Sequence, residues 1–284
     1  MTNVDDVAAT LNYLAPWSAR NRLYVAPGDH LSTTEYDPRT VRVASGRGRE
    51  AEFTLDRNGF ALVEHGSAVT DFADASRLNG PYTREAAALV RDLTGADEVV
   101  SLGWMLRRAA PDRSGALPAL PPAPDVHVDL HTSAIARGYA QVHARSALPA
   151  PGEYRRAVYT SLWRTFSPPP QDWPLALCDY RSTDDAEGSA NLLFRVAALP
   201  APDQIPDVVD EADAESAASV FTYSPAHRWW YFPGMHAGEA LIFKLHDTDR
   251  TVAWRAPHTS FRDAAVTGAH PRESIELRTV GFFY

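Results

Sequence analysis

One lysine and one cysteine stand in a chain of 284 residues, with no run of like charge and no apolar run long enough to span a bilayer. Each scarcity excludes something. A lone Cys178 cannot form an internal disulfide, which fits a reducing compartment and a buried apolar role in "PLALCDY". Lys and Arg together number 27 against 36 Asp and Glu, a formal charge of −9. Without a basic stretch, that balance argues against nucleic acid or an anionic membrane as partner and leaves a small molecule as the default. "MTNVDDVAAT" carries acids where a secretory signal needs a basic and then an apolar region, so the chain reads as soluble and cytoplasmic. There is no internal repeat, no phosphate-cradling glycine loop and no regular alternation of strand with helix.

What is present is mostly strand-like. Helical spacing is limited to "VDDVAATLNYL", "TREAAALVRDLTG" and a short "SAIARGYAQVHAR". Alternating segments run from "NRLYVAP" and "TVRVAS" to "SIELRTVGFF", with "AEFTLDRNGFALVEH" reading as a hairpin turned at "RNG". Many short strands punctuated by Pro and Gly predict a mainly β sandwich or jelly roll with a few flanking helices.

"DVHVDLHTS" places His127, Asp129 and His131 on one face of a strand and Val126, Val128 and Leu130 on the other. An HxD pair alone arises by chance in a chain of this size. His258 in "WRAPHTSF" adds a second imidazole. Two imidazoles and a carboxylate on one face of a metal leave positions open for a cosubstrate and dioxygen, as in non-haem Fe(II) oxygenases. In "PRESIELR", Arg272 and Ser274 lie two apart and share a face, where a guanidinium fork and a hydroxyl can hold a carboxylate.

With those motifs, "SLWRTF", "WPLALCDYRS", "YSPAHRWWYFPGM", "EALIFKLHDT" and "APHTSF" resemble the Fe(II)/2-oxoglutarate-dependent oxygenases. The closer resemblance is to the family of cephamycin-type cephem hydroxylation and methoxylation enzymes and fungal endoperoxide-forming relatives. It runs from about residue 157 to the C-terminus, takes in the HxD, and is faint before residue 95. The resemblance implies a double-stranded β-helix over 96–284, with 1–95 as an N-terminal α+β extension packed on it. It implies Fe(II) held by His127, Asp129 and His258, 2-oxoglutarate held by Arg272 and Ser274, dioxygen as oxidant, and hydroxylation, desaturation or cyclisation of a small secondary-metabolite-like or amino-acid-derived substrate. Ser161 and Trp230 depart from the family pattern, which has Asn and Tyr there.

Other residues are candidates on local grounds. Arg164 is a pocket cation that binds the cosubstrate or merely pairs with a surface carboxylate, and His131 either touches the substrate or ends a strand that leads into a helix capped by Thr132 or Ser133. Trp163, Trp230 and Trp254 either wall the site or fill the core, and Glu276 with Arg278 forms an internal ion pair or meets ligand. Two other function classes stay open: a zinc hydrolase using His127 and His131 at helical spacing, which lacks the general-base Glu between them, and a non-catalytic β-sandwich binding module.

Overall fold

Burial along Val7–Leu14 alternates, with Ala9, Leu11 and Tyr13 inside and Ala8 and Thr10 outside. A two-residue period is a strand, so the first segment expected as helix is β1 (Val7–Leu14). The computed structural model describes residues 6–110, 117–135, 143, 148–150, 152–263 and 266–284. In chain order, β2 (Arg22–Ala26), β3 (Asp29–Ser32), β4 (Tyr36–Ser45) and β5 (Phe60–Glu64) follow. After the helix Thr83–Thr94 come β6 (Glu98–Arg108), β7 (His127–Val128), β8 (Arg156–Thr165), β9 (Leu175–Cys178) and β10 (Gly188–Arg195). The last are β11 (Ser216–Phe221), β12 (Trp229–Tyr231), β13 (Glu239–Asp247), β14 (His258–Ser260) and β15 (Glu273–Phe283).

They form a ten-stranded sheet ordered β1-β4-β12-β9-β14-β7-β11-β10-β2-β3 and a five-stranded sheet ordered β5-β13-β8-β15-β6. Leu11, Val43, Leu177 and Trp229 of the first meet Phe60, Trp163, Phe243 and Val280 of the second in one core, which makes the jelly roll. Neighbours in each sheet are often far apart in sequence. The expected division near residue 95 is not a break in the sheets: β1, β4, β2 and β3 extend the large sheet and β5 pairs with β13 in the small one.

The helix Thr83–Thr94 follows its sequence signals, ending at Gly95 in a left-handed conformation. It lays Ala86 and Val90 on the outer face of the small sheet, against Leu106, Leu162, Ile242 and Leu277. Full burial of a valine contributes about 1.5–3 kcal/mol. The "RNG" segment is no hairpin. Thr54 caps a single helical turn, Leu55–Asn58, and Gly59 ends it at φ +87°. A Cβ at Gly59 would meet the Arg255 carbonyl at 2.7 Å, so both conformation and space demand glycine. The predicted helix after Ser133 begins over residues 132–135, and most of the rest of that segment lies outside the described residues.

His246 on β13 is buried, and its Nε2 accepts an N–H from Arg250 at 3.0 Å, which requires a neutral ring. Burial first, then Arg250 and Arg255, against the opposing pull of Asp247, takes its pKa from 6.5 to about 4. The unfolded chain therefore binds the extra proton between these values. Stability falls as pH drops through that window, by up to about 3 kcal/mol from this group. Thermal melts from pH 7 to pH 4 check this, and His246→Gln should flatten the slope.

Candidate active site

β7 and β14 are adjacent, and His127 pairs directly with His258, so the two side chains leave the sheet on the same face. Their ring centroids are 4.4 Å apart. His127 Nδ1 donates to the Asp125 carbonyl at 2.8 Å and His258 Nδ1 to the Ala256 carbonyl at 3.0 Å. A carbonyl only accepts, so both rings carry the proton on Nδ1 and turn a lone pair inward on Nε2. Asp129 follows the end of β7. Its Oδ1 lies 3.8 Å from His127 Nε2 and its Oδ2 3.5 Å from His258 Nε2. Ligand atoms of all three residues fall within 4.8 Å of one another.

The carboxylate is held by an ion pair. Arg278 Nη2 donates to Asp129 Oδ1 at 2.6 Å, and Arg278 Nε to Glu276 Oε1 at 2.7 Å. Burial alone would raise the Asp129 carboxyl, but the Arg278 guanidinium beside it holds it well below the usual carboxylate range. Asp129 Oδ2 is buried with no hydrogen-bond partner. A buried orphaned carboxylate oxygen facing two imidazole lone pairs fits a divalent cation.

Along the C-terminal strand, Arg272, Ser274, Glu276 and Arg278 point to the same inner side. Arg272 is wholly buried, and its Nη1 donates to the Trp173 carbonyl at 2.8 Å and to Ser260 Oγ at 2.7 Å. Its Nε and Nη2 have no partner, nor does Ser274 Oγ. The guanidinium lies 5.6 Å from the centroid of the Trp163 ring. Burial, reinforced by Arg107, pulls it down to about 9, and it stays charged at neutral pH. A buried cation with two idle donors on one edge fits a carboxylate. One cavity joins both parts, with His127, His258, Trp163, Ser260 and Arg272 among its walls.

Arg164 is a correction. It follows Trp163 on β8 and so faces the other way, toward the helix-covered side. Its Nη1 donates to the Ala237 carbonyl at 2.6 Å and its Nη2 bonds His65 Nδ1 at 2.9 Å. It ties loops together and cannot reach a cosubstrate beside Arg272. Arg164→Met should therefore lower the melting temperature by several degrees, through acceptors stranded at about 1–3 kcal/mol each, and leave 2-oxoglutarate affinity unchanged. Thermal unfolding and a ligand titration of the same variant check both halves.

His131 lies beyond the short β7, with Ser133 Oγ 2.7 Å from its Nδ1, at the start of the next helical turn. The Ser133 N–H donates to His131 Nδ1 at 3.2 Å, so His131 itself caps that turn where Thr132 or Ser133 was expected, and with His127 in a strand the helical zinc pair is lost. Trp230 shares the inner row with His258 but is separated from it by Leu177. Phe53 and Arg49 cover its indole, at 5.0 and 4.6 Å. Trp254 is not in a strand; Arg250 and Arg255 stack on it at 3.6 and 4.3 Å, and His246 lies 5.8 Å away. Sequence reasoning missed Ser260, although its place two residues after His258 already put it on the same face.

A family model described as an oxidoreductase/YMDC permease-like domain matches residues 11–282. Hydroxylase/desaturase CTB9 of Cercospora beticola is 33% identical over 267 residues, 89% of this chain and 79% of that protein. The chain belongs to this oxygenase family. The oxygenase is also 28% identical to the Fe(II)/2-oxoglutarate-dependent dioxygenase nvfI of Aspergillus novofumigatus, over 92% of this chain and 89% of that one. The solved structure of the iron and alpha-ketoglutarate-dependent endoperoxidase NvfI superposes with a TM-score of 0.79 at 23% identity, covering 98% of both chains, and so shares the oxygenase's fold.

Proposed function

We propose that the protein is an Fe(II)- and 2-oxoglutarate-dependent dioxygenase that oxidises an unactivated C–H bond of a small organic substrate, with His127, Asp129 and His258 as iron ligands. The observation that carries the reading is the meeting, in one cavity, of the two histidines of the His127, Asp129 and His258 cluster with a buried arginine whose Nε and Nη2 lack partners. Neither half alone is specific. Together they provide a cation site beside a carboxylate site.

Bound iron, 2-oxoglutarate and dioxygen together supply a two-electron oxidation of a C–H bond, with 2-oxoglutarate converted to succinate and carbon dioxide. The chain's own residues position and exclude. His127 and His258 present Nε2 because backbone carbonyls fix their tautomers. Asp129 offers Oδ2 while Arg278 occupies Oδ1, so one carboxylate oxygen is left for the metal. Arg272 and Ser274 orient the far carboxylate of 2-oxoglutarate. Trp163, Leu175 and Phe243 wall the cavity with apolar surface and keep bulk water from it.

Purified protein given Fe(II), 2-oxoglutarate and oxygen should consume oxygen and produce succinate, and a chelator should stop both. No charge-transfer absorption on mixing Fe(II) and 2-oxoglutarate with the protein under nitrogen, and no succinate in air, would overturn the reading in favour of a binding module.

A further inference from the structure

A second cavity, of about 200 Å³, adjoins the metal cluster on the Arg278 side. Leu102, Leu130, Ile135, Leu148, Leu245 and Val280 supply most of its wall, and Arg278 is the one charged residue there among the described residues. Of its few other polar groups, Thr279 Oγ1 is already 2.7 Å from Thr160 Oγ1. Leu130 is the neighbour of Asp129, so the cavity begins where the cluster ends. Arg278 stands between them: Nη2 is committed to Asp129 and Nε to Glu276, and Nη1 has no partner among the described residues.

The charges around this arginine limit what can enter. Fe(II) brings two positive charges and Asp129 one negative. Arg278 and Glu276 offset each other, and Arg272 adds one positive. The 2-oxoglutarate dianion brings two negatives, and the total is zero. Arg107 and Asp172, half-buried near Arg272 and opposite in sign, leave that total unchanged, and Asp125, its Oδ2 3.7 Å from His127 Nδ1, takes it to one negative. An anionic substrate would add to that negative balance and a cationic one would meet the Arg278 guanidinium, each in an apolar cavity with no counter-charge among the other described residues of its wall, which is costly. An oxygen acceptor, by contrast, meets a charged donor already held in place by two carboxylates.

From this we infer that the substrate is an uncharged, largely hydrocarbon molecule carrying an oxygen acceptor close to the oxidised carbon, and that Arg278 Nη1 is the specificity-determining donor to that oxygen. The inference rests on the iron and 2-oxoglutarate reading of the same site. It adds the charge and polarity of the substrate and a role for Arg278 beyond its bond to Asp129.

Three probes of one skeleton test it: trans-1-decalone, trans-decalin and trans-decalin-1-carboxylate, each titrated under nitrogen into the full-length protein with saturating Fe(II) and 2-oxoglutarate. The readout is the shift of the iron–2-oxoglutarate charge-transfer band. The ketone should bind about tenfold more tightly than the hydrocarbon, the worth of one hydrogen bond to a charged donor, and more tightly than the carboxylate. Arg278→Met, assayed at saturating Fe(II), should bring the ketone-to-hydrocarbon ratio to about one. Leu102→Trp, a change at the exposed rim, should remove ketone binding while the band and 2-oxoglutarate affinity persist. That variant decides the question if Arg278→Met fails to hold iron.

A carboxylate that binds better than the ketone, a ratio unchanged in Arg278→Met, or ketone binding unchanged in Leu102→Trp would overturn the inference alone. A wild-type protein that forms no band overturns the iron and 2-oxoglutarate reading, and this inference with it.

Discussion

Asp129→Ala should remove turnover and weaken Fe(II) binding by more than about a hundredfold, since outer-shell changes alone cost about ten- to a hundredfold in metal sites and this one deletes the only anionic ligand. Two neutral imidazoles remain, 4.4 Å apart, and neither offsets the charge of a divalent cation. The fold should survive. Arg278 keeps Glu276 as a partner at 2.7 Å, so no buried charge is left unpaired. Asp129→Asn separates charge from shape: its amide oxygen still offers a ligand atom, and iron affinity should fall between wild type and Asp129→Ala. Anaerobic equilibrium dialysis against Fe(II), with thermal unfolding of the metal-free proteins, checks the set. Near-native iron binding by Asp129→Ala would mean that the cluster is not the metal site.

The site was legible where chemistry repeats at a fixed spacing. His127 and Asp129 two apart, and Arg272 and Ser274 two apart, needed only the alternation of a strand to be placed on common faces. The same alternation should have removed Arg164, because Trp163 lies beside it and a single cavity cannot receive both neighbours on a strand. Less could be known of pairing. β4 and β5 had readable strand periods while β1 read as a helix, and the partners of β4 and β5, β1 and β13, are set by long-range packing that no local pattern encodes. Thus residues 1–95 looked like an extension, whereas β1 to β4 lie in the large sheet and β5 in the small one. Trp254 failed for another reason: its four-residue offset from His258 implied one face only if the strand ran through both, and β14 begins at His258.

The cosubstrate half of the site can be broken without the metal half. Arg272→Leu removes a buried guanidinium with two idle donors and leaves any carboxylate in that pocket without a charge partner. Breaking a buried ion pair costs about 3–5 kcal/mol, and about 1.4 kcal/mol is a factor of ten, so 2-oxoglutarate affinity should fall roughly a hundred- to a thousandfold. Part of the arginine's role is structural, because Nη1 also holds the Trp173 carbonyl and Ser260 Oγ, so some loss of stability should accompany it. Arg272→Lys distinguishes the two contributions. It restores a charge but not the planar fork, so affinity should recover only in part. Fe(II) binding should persist in both, since none of the three cluster residues contacts Arg272 through a hydrogen bond. Titration with 2-oxoglutarate under nitrogen at saturating Fe(II), followed by the charge-transfer band, reads the effect directly. Unchanged affinity in Arg272→Leu would shift the carboxylate site to Arg107, the other arginine on the wall of that cavity. Its guanidinium is half-exposed and already donates to the Pro121 carbonyl at 2.9 Å, so a carboxylate there would gain less than one held by a buried fork.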